Sequence, residues 1–99
     1  FISVPEGARI FALTSHTHEL GRFATIHRSR SESLSDATEL LHESNNWADP
    51  PLDVFSPPIT LDSTEGLRLS CTFFNSREAP VGFGLSFYDE MCFLWAYWY

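Results

Sequence analysis

His16 and His18 are separated by one residue within Ala8 to His18, a segment that reads as a β-strand. Alternation along a strand puts both imidazoles on one face, with Cβ atoms roughly 7 Å apart, near enough to share one metal ion. The plainer alternative is a pair of partly exposed strand histidines, each hydrogen-bonded to its neighbours. Far downstream, Asp89-Glu90-Met91-Cys92 carries the chain's one methionine. A single methionine ordinarily fills a gap in a core. Its thioether is also a soft donor that favours copper, Cu(I) above all, whereas imidazole serves both oxidation states. Two imidazoles and one thioether would make a low-coordinate copper site with a position open to a small ligand. Zinc prefers nitrogen, thiolate and oxygen donors, so copper is the metal expected of this set.

Cys71 and Cys92 are the two cysteines. In principle they could be ligands or a redox pair, but their wide spacing fits neither a CxxC redox motif nor a zinc knuckle. A disulfide is the expected state and implies an oxidising compartment; two buried free thiols are the alternative. Closing a loop of this size should contribute about 3 kcal/mol. It would also tether the strand that begins at Met91. Other constellations are weaker. No Ser, His and acid share the local context of a nucleophile elbow. Asp89 and Glu90, being adjacent, would face opposite sides of a strand, which argues against paired-carboxylate catalysis. Val81-Gly82-Phe83-Gly84 lacks the spacing of a phosphate loop. For His27 and His42, solvated or hydrogen-bonded side chains are expected.

These residues need a scaffold, and 99 residues suffice for one domain, spanning 1–99, with one core. A hydrophobic content of 43% with 15% aromatics excludes a disordered chain. No apolar run reaches the roughly 18 to 20 residues of a membrane span. The formal charge of −7 disfavours nucleic acid and anionic membranes as partners. All six basic residues are arginines, suited to bidentate pairing with carboxylates. A start at Phe1 rather than methionine suggests a mature product or a fragment.

Turn residues punctuate the chain about every ten positions, and no segment carries a helical stripe. Extended segments are expected at Ala8 to His18, Phe23 to Arg28, Thr38 to Glu43, Val54 to Leu61, Leu67 to Phe74, Val81 to Phe83 and Met91 to Tyr99. The serine-rich stretch from Ser29 to Asp36 reads as a loop. Pro57-Pro58 marks its strand as an edge or irregular one. This pattern predicts an all-β fold, an antiparallel β-sandwich. In the last strand Met91, Phe93, Trp95, Tyr97 and Tyr99 face one side and Cys92, Leu94, Ala96 and Trp98 the other. Two apolar faces predict a central strand covered on both sides. Large aromatics at the terminus also suggest a domain boundary or contact with another subunit, as in a homo-oligomer built through this strand.

Taken together, His16-Thr17-His18-Glu19-Leu20-Gly21-Arg22 and Asp89-Glu90-Met91-Cys92 resemble the C-terminal catalytic domain of the copper type II, ascorbate-dependent monooxygenases. Gly66-Leu67-Arg68-Leu69-Ser70-Cys71 is similar to the family's strand holding a disulfide partner, so the likeness runs from about Ile10 onward. Trp47-Ala48-Asp49-Pro50, Phe55-Ser56-Pro57-Pro58 and Phe83-Gly84 look more like short bacterial members. The resemblance implies a jelly-roll sandwich in a secreted, periplasmic or cell-surface protein. It implies His16, His18 and Met91 as ligands of the copper that uses dioxygen, and a Cys71–Cys92 disulfide. Ascorbate or another electron donor would supply electrons for hydroxylating an unactivated C–H bond. The family's second copper lies in a preceding domain that nothing in this chain supplies, which makes such a domain an expected partner. Thr14 stands where peptide-hydroxylating members carry an arginine, and Phe93 and Trp95 stand where they carry asparagine and tyrosine. A peptide carboxylate would find no such anchor, and Phe93 and Trp95 become candidate contacts for a small apolar or aromatic substrate. The competing expectation is a non-catalytic β-sandwich used in assembly or adhesion, its metal site structural or vestigial.

Overall fold

Alternating apolar and polar side chains build six strands in the computed structural model, which describes residues 1–86 and 88–99. They are β1 (Arg9–Thr17), β2 (Gly21–Ser29), β3 (Ala37–Ser44), β4 (Asp53–Thr60), β5 (Gly66–Phe73) and β6 (Cys92–Trp98). Every strand pair is antiparallel, in two three-stranded sheets ordered β4-β1-β6 and β3-β2-β5. The all-β antiparallel sandwich expected from the turn spacing is thus the fold observed. The serine-rich segment is a connection carrying one 3-10 turn, Leu34–Asp36.

The core lies between the sheets. Ile10 and Leu13 of β1, Ile26 of β2 and Leu67 of β5 are fully buried, joined by Leu61. Leu94 and Ala96 of β6 and Leu69 of β5 pack against them. Each fully buried leucine or isoleucine contributes roughly 1.5 to 3 kcal/mol, which ranks this layer above any single surface contact. A bulge between Ile10 and Ala12 resets the alternation of β1. Beyond it Leu13, Ser15 and Thr17 point inward, while Thr14 and His16 share the outer face with their cross-strand partners Trp95 and Phe93. The β1–β2 hairpin closes tightly at Gly21, whose amide donates to the His18 carbonyl at 3.0 Å. A Cβ at this position would run into the Thr17 side chain, so glycine is required for the close approach.

Two expectations need correction. The final strand is not central: β6 pairs with β1 alone among the strands and forms one edge of its sheet. Its inward face, Leu94 and Ala96, joins the core, but Trp95 and Tyr99 on the outward face are 57% and 61% exposed. The short strand expected at Val81 to Phe83 reduces to one bridge, Phe83 to Glu90. By contrast β4, with Pro57 and Pro58, is an edge strand as expected, since proline cannot donate to a second neighbour.

Polar anchors match the all-arginine composition. Arg28 donates to Glu39, Glu65 and the Thr60 carbonyl, so one guanidinium spans three segments. The turn into β5 is held by Asp62. Hydrogen bonds from the Thr64 hydroxyl, then from backbone amides, keep its carboxyl below the usual carboxylate range.

Candidate metal centre

The His16 and His18 rings lie edge to face with centroids 5.2 Å apart. Two imidazoles bound to one ion at ~2.0 Å place their centroids roughly 5 to 6 Å apart, a range that includes this separation. His18 has a fixed orientation, because its Nδ1 is 2.8 Å from the Asp89 carbonyl oxygen. A carbonyl only accepts, so Nδ1 carries the proton and donates, leaving the Nε2 lone pair for a ligand.

Strand register relates Met91 to the histidines only through the end of the β1–β6 ladder. The β1–β6 ladder pairs His16 with Phe93 and Thr17 with Cys92. Met91 directly precedes Cys92, the β6 residue of the last ladder pair, and His18 directly follows Thr17, its partner. Met91 itself is buried. The Glu90 carboxylate holds the two segments together: Oε1 accepts from the His18 amide at 2.9 Å and Oε2 from the Leu20 amide at 2.8 Å. The Met91 amide also donates to Oε1, at 3.3 Å.

Beside Met91 lies a cavity of about 290 Å³, lined mainly by apolar groups including Leu20, Phe73, Val81, Phe83 and the disulfide residue Cys92. Phe83 meets Phe93 edge to face at 5.7 Å. Of the two aromatics expected to touch substrate, neither lines the cavity; Phe93 touches it only through Phe83, and Trp95 lies further along β6. Cys71 and Cys92 form a disulfide joining β5 of one sheet to β6 of the other. This removes both thiols as metal donors. Among the described residues no three His, Cys, Asp or Glu side chains converge as a metal site. An ion held by His16 and His18 would therefore draw no third donor from that set.

His27 lies half-buried on β2, in the opposite sheet, and does not join the pair. His42 does something the local sequence does not signal. Its side chain is fully buried, with Nδ1 2.7 Å from Asp53 Oδ2 and Nε2 2.8 Å from Ser15 Oγ. In the tautomer that satisfies all three groups, Nδ1–H donates to the carboxylate and Nε2 accepts from the serine hydroxyl. The order of groups is that of a hydrolytic triad, but Ser15 is buried and borders a cavity of only about 10 Å³. That is room for about one water, not for an acyl group, so the arrangement is a polar staple between sheets.

The family model described as copper type II ascorbate-dependent monooxygenase, C-terminal domain, matches residues 2–99. No curated protein and no solved structure matches the chain. Among the described residues no helix is long and apolar enough to cross a membrane.

Proposed function

Because the chain belongs to the copper type II ascorbate-dependent monooxygenase C-terminal domain family, we propose that residues 1–99 form a single copper-binding domain with a mononuclear site at His16, His18 and Met91. The observation that carries this reading is the pairing of the His16 and His18 rings at the end of β1, with Met91 directly before the β6 residue that pairs with Thr17. The donor chemistry fits: two neutral imidazoles and a thioether suit copper and hold Cu(I) well. Glu90 sits beside Met91, but backbone amides occupy both its oxygens. Bound there, copper supplies the one-electron redox chemistry with which the family's enzymes use dioxygen.

The chain's own residues contribute placement and shelter. The Asp89 carbonyl fixes the His18 ring, and the disulfide anchors the strand that begins beside Met91. The mainly apolar pocket suits a small, uncharged aromatic or aliphatic substrate, with Phe83 in its lining and Phe93 packed against Phe83. Thr14 offers no cation to a substrate carboxylate, so peptide amidation is not the reaction. Full hydroxylation requires a second electron-delivering copper domain as partner, and ascorbate or another reductant as donor. Such a domain works outside the cytoplasm, secreted, periplasmic or at the cell surface, in keeping with its disulfide.

The second reading is a non-catalytic assembly or adhesion module, favoured by the exposed aromatics along edge strand β6. One set of experiments separates the two. Copper titration followed by electron paramagnetic resonance should show one Cu(II) per chain, with His16→Ala and His18→Ala each losing the signal at stoichiometric metal. Ascorbate-dependent oxygen uptake should exceed that of the His16→Ala protein carried through the same copper loading and removal of unbound metal. A large assembly by light scattering, with no such excess uptake, supports the assembly module instead.

A further inference from the structure

Glu90 is a buried carboxylate with no cationic partner among the described residues; its oxygens accept from backbone amides. Burying a carboxylate is costly unless its lone pairs are filled by donors, and here the donors come from two distant parts of the chain. His18 and Leu20 belong to the β1–β2 hairpin, and Met91 to the segment entering β6. Beyond Thr17–Cys92 the β1–β6 ladder has ended. Glu90 takes over where ladder hydrogen bonds stop, tying the His18 and Leu20 amides to the segment that carries Met91. Its own backbone is also held, its amide donating to Gly82 and its carbonyl accepting from Gly84. The neighbouring Asp89 carbonyl turns the His18 ring.

We propose that Glu90 is the positioning residue of the copper site, setting the separation between the two imidazoles and the Met91 thioether without itself binding metal or substrate. This rests on the copper reading given above. It gives a role to the acidic residue before the methionine, whose adjacency to Asp89 suggests nothing beyond opposite strand faces. Glutamine has the same length and nearly the same volume, but its amide nitrogen must face a backbone N–H, so one of the two lashings is lost.

The test compares wild type, Glu90→Gln and Glu19→Gln. The last removes an exposed carboxylate from the same hairpin turn and so controls for charge. In metal-free protein, Glu90→Gln should speed amide exchange at His18, Leu20 and Met91 at least tenfold while Ile26 and Leu67 stay protected. Its Cu(I) affinity should fall about 10- to 100-fold, the range for removing an outer-shell partner. Glu19→Gln should leave exchange and affinity unchanged. Wild-type exchange and affinity in Glu90→Gln, or the same losses in Glu19→Gln, would overturn the proposal. If Glu90→Gln does not fold, scalar coupling across the hydrogen bond between the Leu20 amide nitrogen and the Glu90 side-chain carboxyl carbon decides in wild type. Its presence supports the clamp and its absence overturns it. A wild type that binds no copper at the histidines sinks the copper reading, while the metal-free exchange data still decide the role of Glu90.

Discussion

Serine at both Cys71 and Cys92 is expected to destabilise the domain by about 3 kcal/mol and lower its melting midpoint by roughly 12 to 24 °C. The disulfide closes the stretch from β5 to β6, and the two strands belong to different sheets. Without it, β6 is held in its sheet by β1 alone, because it is an edge strand. Several of the large side chains on β6 are exposed and contribute little burial, so the covalent tie carries a larger share of its attachment than it would in a central strand. The loss should also reach the metal centre, since Met91 precedes Cys92 directly. Thermal unfolding by circular dichroism, with and without reductant, measures the effect. A midpoint within a few degrees of wild type would show that noncovalent packing alone seats β6. Native wild-type protein should offer no thiol to alkylation.

His42→Ala is expected to cost on the order of 2 to 4 kcal/mol in denaturant unfolding. The imidazole is fully buried and joins β3 of one sheet to Ser15 of β1 and Asp53 of β4 in the other. Its removal leaves a cavity, a buried hydroxyl without its partner and a carboxylate stripped of its donor. The polar and volume contributions can be separated. His42→Phe restores most of the volume but not the hydrogen bonds and should remain about 1 to 3 kcal/mol below wild type. Adding Ser15→Ala to His42→Phe should recover part of that loss, because the orphaned hydroxyl is gone. Purely additive effects of the two substitutions would show that the staple is not energetically coupled.

The contrast between these features explains what could be read in the residues alone. The closeness of His16 and His18 is legible because it is local: spacing of two along a strand sets a common face. The disulfide is legible because two cysteines in an expected β-sandwich have few other fates. Edge status is a different kind of property. Alternation shows that β6 has two apolar faces, but it contains no information about whether a second strand pairs with it, so the expected coverage of Trp95 and Tyr99 does not occur. The Ser15–His42–Asp53 staple is invisible for the same reason. Its members lie on three strands of two sheets, and only the stacking of the sheets brings them together. Glu90 is intermediate. Its place in a motif is plain, yet its partners, the His18 and Leu20 amides, become neighbours only once β6 pairs with β1.

The central claim is a copper ion held by two imidazoles and one thioether, and X-ray absorption at the copper edge of the Cu(I)-loaded protein tests it most directly. The wild type should show two imidazole nitrogens and one sulfur, and Met91→Leu should lose the sulfur while keeping both nitrogens. A spectrum without sulfur in wild type, or an unchanged sulfur contribution in Met91→Leu, would contradict the assignment of His16, His18 and Met91 as the metal centre.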